Sequence, residues 1–112
     1  MKSITIEEFT CLIGQNAKEN WALLDKAEEN HWFFHLTSFP SCYVIWECKE
    51  DIPSDNVLIR LAQICLDNTK YRRLKDVKVD YTRCKNVRKG EEIGEIEYRS
   101  TRKVKTIKVK LN

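Results

Sequence analysis

The chain has little glycine and proline, three and two residues respectively, and only one methionine and two histidines. So few punctuating residues exclude a low-complexity linker, a collagen-like repeat and a Gly-rich phosphate loop, and they leave the turns to Asn, Asp and Ser. No apolar run approaches the ~20 residues of a membrane span; the longest, Cys42–Trp46 and Trp32–Phe34, are strand-sized. No apolar stretch follows Met1-Lys2, so a secretory leader is not expected. The five cysteines, Cys11, Cys42, Cys48, Cys65 and Cys84, contain no C-x-x-C pair. Their odd number and irregular spacing predict free, buried thiols in a reducing compartment, and therefore a cytoplasmic protein.

What is present is one domain's worth of chain. At 112 residues, 42% hydrophobic and 33% charged, the sequence supports a single core spanning 1–112. The net charge of +3 is unevenly spread. Residues 1–69 carry five Lys/Arg against eleven Asp/Glu, a net of −6. Residues 70–112 carry fifteen against six, a net of +9. A basic half of this density is the electrostatic footprint of a polyanion binder, or of a Lys-rich sheet that resists edge pairing.

The periodicity predicts an α+β fold in the order β-α-β-β-α-β-β-β-β. Phe9–Ile13 reads as a short strand. Asn16 reads as a helix N-cap, with Glu19 in the capping-box position and an apolar stripe of Trp21, Leu23, Leu24 and Ala27 ending near Asn30. Two strands follow, 32–36 and 42–46, joined through Phe39-Pro40-Ser41. Phe34 and Leu36 share one face of the first; Val44 and Trp46 share one face of the second. Pro53-Ser54-Asp55 opens a second helix, with Leu58, Leu61, Ala62 and Cys65 at helical spacing, running to about Lys70. From Lys75 onward the pattern alternates. Val77, Val79 and Tyr81 oppose Lys78 and Asp80. Ile107, Val109 and Leu111 oppose Lys108 and Lys110. These predict antiparallel strands with one buried and one wet face, turning at Arg88–Glu92 and Arg99–Arg102.

Several motifs, in order and spacing, carry a resemblance. Gly14-Gln15-Asn16-Ala17-Lys18-Glu19-Asn20 stands before the first helix, with Gln15 in place of an arginine. His31-Trp32-Phe33-Phe34-His35 is followed by a proline turn and Ser41-Cys42-Tyr43. Val79-Asp80-Tyr81-Thr82-Arg83-Cys84-Lys85-Asn86-Val87-Arg88-Lys89 comes later, then Gly94-Glu95-Ile96 and a closing Lys105–Val109. From about Cys11 to its C-terminus the chain resembles the NFACT RNA-binding domain, the C-terminal module of ribosome-associated quality-control factors, which also occurs as stand-alone small proteins. It looks like a divergent stand-alone member, and His31, Phe33 and Tyr43 depart from the family's Asp, Trp and second His. The resemblance implies binding of RNA, such as tRNA or rRNA, in a translation setting; DNA remains open. The nucleic-acid-binding residues expected from motif and charge together are Gln15, Asn16, Asn20, His35, Ser41, Tyr43, Tyr81, Arg83, Lys85, Arg88 and Lys89.

Each candidate has a plainer reading. Lys70, Arg72 and Arg73 at a helix end suit the helix dipole as well as a phosphate. Tyr81, Trp32 or Tyr43 offer a base-stacking face, although strand aromatics are more often core. His31 and His35 with Cys42 and Cys48 do not have zinc-site spacing, so no metal is expected. Cys42 and His35 form a conceivable nucleophilic pair, but paired carboxylates and nucleotide loops are absent, so neither catalysis nor a cofactor is expected. Two alternatives to an RNA-binding module stay open. One is an RNA-modifying enzyme, or an accessory to one, centred on Gly14–Asn20, His35 and Ser41. The other is a protein-docking module using the basic strands.

Overall fold

A computed structural model describes residues 1–49 and 52–109. The elements are β1 (Lys2–Ile6), β2 (Phe9–Ile13), α1 (Ala17–Lys26), β3 (Trp32–Leu36), β4 (Val44–Trp46), α2 (Asp55–Asp67), β5 (Val77–Arg83), β6 (Val87–Lys89), β7 (Ile96–Tyr98) and β8 (Lys105–Val109). Single 3₁₀ turns occupy Cys84–Asn86 and Thr101–Lys103. The fold is α+β, as the periodicity predicts. Six strands form one antiparallel sheet in the order β1-β2-β4-β3-β5-β8, and β6 pairs with β7 as a separate hairpin.

Period-two alternation supplies both faces of that sheet. Trp32, Phe34, Leu36, Val44, Trp46, Val79 and Tyr81 pack against Leu58, Leu61, Ala62 and Cys65 of α2. Phe33, Tyr43 and Ile45 point the other way, onto Leu23 of α1 and Val87 of the hairpin. The central strands are thus buried on both sides, which is why 32–36 and 44–46 read as nearly continuous apolar runs. Asn16 caps α1 by accepting from Glu19 N at 2.9 Å, and Ser54 caps α2 by accepting from Val57 N at 3.4 Å. Glu19 does not close a capping box on Asn16; its carboxylate accepts from Gln15 N and pairs with the Met1 amine.

The structure corrects several sequence expectations. Lys2–Ile6 is a strand, paired with β2 from Lys2↔Ile13 to Ile6↔Phe9. The turn joining them has Glu7 and Glu8 at φ 50° and 70°, a two-residue left-handed turn without the usual Asn-Gly signature. Arg88 and Lys89, expected in the turn Arg88–Glu92, are the last two residues of β6. The second helix stops at Asp67, so Lys70, Arg72 and Arg73 lie beyond its last turn and do not cap its dipole. Asp80, expected on a wet face, is 8% exposed. It accepts from Thr37 Oγ1 at 2.7 Å, Tyr98 OH at 3.0 Å and Thr106 Oγ1 at 3.3 Å. The hairpin lies over that face and β8 flanks β5 within the sheet, and three hydroxyls replace its water. The expected strand positions Lys110 and Leu111 fall outside the described residues.

All five cysteines are buried and unpaired. Burial pushes the Cys11 and Cys84 thiols up to about 12. Those two thiols stay protonated in the core. No described helix is long and apolar enough to cross a membrane.

Candidate nucleic-acid interface

The eleven candidate residues do not converge on one place. They divide between the two ends of β3 and the outlying hairpin. At the Trp32 end lies a cleft of about 440 Å³, lined by Trp32, Tyr81, Thr82, Arg83, Lys85, Asn86, Arg99, Ser100, Lys103 and Lys105, and also by Glu29 and Ile52. Of the eleven, Tyr81, Arg83 and Lys85 line it, together with the stacking candidate Trp32. Arg99, Lys103 and Lys105 are additional cations that reading motifs and charge did not select.

Local folding explains how residues this far apart in sequence meet. Strand β5 ends at Arg83, and the 3₁₀ turn after it carries Lys85 outward. Asn86, 5% exposed, latches the returning segment. Its Oδ1 accepts from Ser100 N at 2.8 Å, and its Nδ2 donates to Ser100 O at 2.9 Å and to Thr82 Oγ1 at 3.2 Å. Arg99 N donates to Asn86 O at 2.8 Å, and Thr82 Oγ1 donates to Lys103 O at 3.0 Å. Strand β8 then begins with Lys105 opposite Tyr81. The latch therefore fixes three cations against the end of β5.

The charge at this end is mostly positive, with Glu29 the one acidic residue among the described lining residues. Among the described residues, Lys85, Arg99, Lys103 and Lys105 have no ion-pair partner, and all four are exposed. Arg83 is a wall rather than a loose charge. Its guanidinium lies 3.9 Å from the Trp32 ring centroid and donates to Asn30 O at 2.6 Å.

Arg88 and Lys89 sit elsewhere, on the exposed hairpin, and both are paired. Arg88 Nη2 and Nε each lie 3.0 Å from Glu97 Oε1, directly across the strands. Lys89 Nζ lies 2.7 Å from Asp25 and 5.1 Å from the Trp21 ring centroid. These contacts hold β6–β7 to itself and to α1.

The far end of β3 gathers the motif residues Gln15, Asn16, Asn20, His35 and Ser41 around a recess of about 410 Å³. Most of their polar atoms serve the fold. Asn20 Oδ1 accepts from Tyr43 N at 3.1 Å, and a Cβ on Gly14 would collide with that same amide. Ser41 Oγ accepts from Leu36 N at 2.9 Å and donates to Cys42 O at 3.0 Å. Gln15 Oε1 accepts from the Met1 amine at 3.0 Å. His35 Nδ1 donates to Leu36 O at 2.7 Å. Burial holds the His35 pKa below its ordinary value, although the Leu36 carbonyl and Asp80 pull the other way. Cys42 Sγ donates to Cys65 O at 3.5 Å instead of addressing His35.

The stacking candidates are corrected by burial. Tyr43 is fully buried, its ring edge-on to Phe33 and its hydroxyl donating to Gly94 O at 2.6 Å. Tyr81 is 9% exposed and stacks on Phe34, with ring centroids 5.7 Å apart. Trp32 lies under Arg83. None of the three presents an open ring face to a base. Among the described residues no group of three or more His, Cys, Asp and Glu is placed to hold a metal ion.

No family model matches the chain, and no curated protein does. Among solved structures, the C-terminal of the fibronectin/fibrinogen-binding protein from Streptococcus suis has a similar fold. Its TM-score is 0.80 at 28% identity over 94% of this chain. The present chain spans 42% of the length of that chain, so the likeness concerns one part of it.

Proposed function

We propose that this domain binds RNA through the cleft at the Trp32 end of the sheet. The observation that carries the reading is the meeting of Lys85, Arg99, Lys103 and Lys105 at one rim, without ion-pair partners among the described residues. Phosphate binding releases counterions and is the dominant sequence-independent term in nucleic-acid affinity, so unpaired, exposed cations are the groups able to supply it. The resemblance to the NFACT RNA-binding domain supports RNA over DNA and a setting in translation. Within this reading the recess at the other end of β3 is a scaffold that shapes the sheet, and the hairpin cations are its ties. Binding of a labelled single-stranded RNA, read by fluorescence anisotropy, tests it. Lys103→Glu with Lys105→Glu abolishes binding with the melting temperature retained; unchanged affinity refutes the reading.

A second reading, a protein-docking module, draws on the neighbour, whose name describes a protein that binds fibronectin and fibrinogen. It predicts capture of immobilised fibronectin or fibrinogen that survives nuclease treatment and is lost in the same cleft variant. Absence of capture by the purified chain removes it.

A further inference from the structure

The six-stranded sheet ends in two edges, β1 and β8. Open backbone donors and acceptors along an edge are a template for further strand pairing, and proteins normally blunt them with lysines, proline or a bulge. Strand β8 carries Lys105 and Lys108, both exposed. Strand β1 has no such protection along its middle. Its five residues pair with β2 in unbroken register, and Lys2 to Thr5 are all exposed. Lys2, at one end, is its only charged residue.

The neighbouring strand fixes which way the β1 backbone points. Glu47 N donates to Thr10 O at 2.8 Å and Gly14 N donates to Tyr43 O at 3.1 Å, so Thr10 and Gly14 turn their backbone toward the β4 side. Alternation leaves Phe9, Cys11 and Ile13 to bond Ile6, Ile4 and Lys2. The N–H and C=O groups of Ser3 and Thr5 therefore point out of the sheet. Among the described residues, no other strand pairs with this edge and no loop segment bonds to it.

We propose that β1 pairs antiparallel with β1 of a second copy of this chain, joining two sheets edge to edge. Two observations favour a second copy over an unrelated peptide. The first is self-complementarity. In a two-fold register centred on Ile4, Ser3 of each copy exchanges both backbone bonds with Thr5 of the other, so every outward-facing group of the two strands is satisfied. The same axis sets Ile4 against Ile4 in a non-hydrogen-bonded pair, where side chains come closest. Ile4 is 39% exposed and lies on the α2 side of the sheet with Ile6 and Cys11, so the pairing covers apolar surface beside an existing core. The second is charge. Lys2 stands at one end of β1, and the exposed Glu7 and Glu8 form the turn at the other. Antiparallel pairing brings each basic end beside the other copy's acidic turn, whereas parallel pairing brings like charges together. Lys2 Nζ donates to the neutral Asn68 Oδ1 at 2.9 Å and has no ion-pair partner among the described residues. The basic cleft lies toward the opposite, β8 edge, so both copies keep it open. The pairing is independent of RNA binding, and either can fail without the other.

One strand pair is small beside a standard interface, so association is weak: the chain is monomeric at about 10 µM and largely dimeric at about 1 mM. Sedimentation equilibrium of nuclease-treated protein under reducing conditions reads this as a rise in mass toward twice the monomer value. Thr5→Pro removes an outward donor that β2 does not use, and it abolishes the rise. Ile4→Lys places two like charges at the axis in place of an apolar contact and weakens association about tenfold; because Ile4 is partly exposed, this variant keeps its fold even where the proline variant does not. Cysteine scanning reads the register, since the native thiols are all buried. With oxidised glutathione, Ile4→Cys forms an interchain disulfide because symmetric positions meet. Ser3→Cys alone does not, and Ser3→Cys mixed with Thr5→Cys does. A mass that stays monomeric at about 1 mM overturns the proposal. Undiminished dimerisation in folded Thr5→Pro or Ile4→Lys places the contact elsewhere and overturns it too. Cross-linking of Ser3→Cys alone as readily as Ile4→Cys refutes the register centred on Ile4.

Discussion

Neutralising the cleft and neutralising the hairpin are predicted to have different effects on the salt dependence of RNA binding. Each phosphate neutralised on a single strand contributes about −0.7 to the slope of log affinity against log salt. Four exposed cations without ion-pair partners among the described residues, Lys85, Arg99, Lys103 and Lys105, therefore give a slope of about −2.8. Between about 50 and about 200 mM salt that is a ~50-fold loss of affinity. Lys103→Gln with Lys105→Gln removes two contacts, which halves the slope to about −1.4 and reduces the loss to ~7-fold. Arg88→Gln with Lys89→Gln removes as much formal charge from the same half of the chain. Those cations, however, are already engaged by Glu97 at 3.0 Å and Asp25 at 2.7 Å. A paired cation has no condensed phosphate contact to give up, so the slope of the hairpin variant stays near the wild-type value. Anisotropy titrations at four or more salt concentrations measure all three slopes. A hairpin variant whose slope falls as far as that of the cleft variant would show that total charge, not its placement, governs binding.

Three further predictions concern the framework that holds the cleft and the hairpin. Asp80→Ala leaves the hydroxyls of Thr37, Tyr98 and Thr106 without their shared acceptor and destabilises the fold by about 2–4 kcal/mol, lowering the melting temperature by about 10 °C or more in calorimetry; a loss under ~1 kcal/mol contradicts the buried network. Gly94→Ala destabilises by about 1–3 kcal/mol, because Gly94 has φ +90° and an added Cβ would stand 2.7 Å from that of Ala17; urea denaturation at unchanged m-value measures it, and a neutral result rejects the strain argument. The His35 pKa is depressed below 6.5 by burial, so the unfolded chain binds its proton first. Stability is then full above pH 6.5 and is lost as pH falls through the folded-state pKa, and His35→Gln flattens that part of the profile; an identical slope in wild type and variant refutes the assignment to His35.

Much of the fold could be read from local pattern. The stripe Leu58, Leu61, Ala62, Cys65 is the buried face of α2, and the alternation of Phe34 with Leu36 and of Val44 with Trp46 sets which residues meet it. Asn16 and Ser54 cap the helices where short polar residues precede an amphipathic run. What could not be read depends on partners distant in sequence. Strand β1 turns on two glutamates in a left-handed conformation that their identity does not advertise. Asp80 looks like a solvated strand residue until Tyr98 and Thr106 are placed over it.

The same limit applies, with greater consequence, to the site. A sequence shows that a lysine is charged but not whether that charge is already answered. Lys89 and Lys85 are four positions apart in one basic run, and they end in opposite circumstances. Lys89 meets Asp25 across 64 residues of sequence, while Lys85 faces the cleft. The difference arises from Asn86 between them. Its side chain ties the Arg99–Lys103 segment to β5, and so adds cations to the Lys85 side. It leaves the hairpin side to the acidic front half of the chain. Asn86→Ala therefore does more than remove hydrogen bonds worth about 1 kcal/mol each. It releases Arg99 and Lys103 from the rim and weakens RNA binding although no cation has been mutated. That loss persists at temperatures well below the variant's melting point. If Asn86→Ala is folded and binds RNA with wild-type affinity and salt slope, the rim is not assembled by this latch, and the cations act as independent, mobile charges.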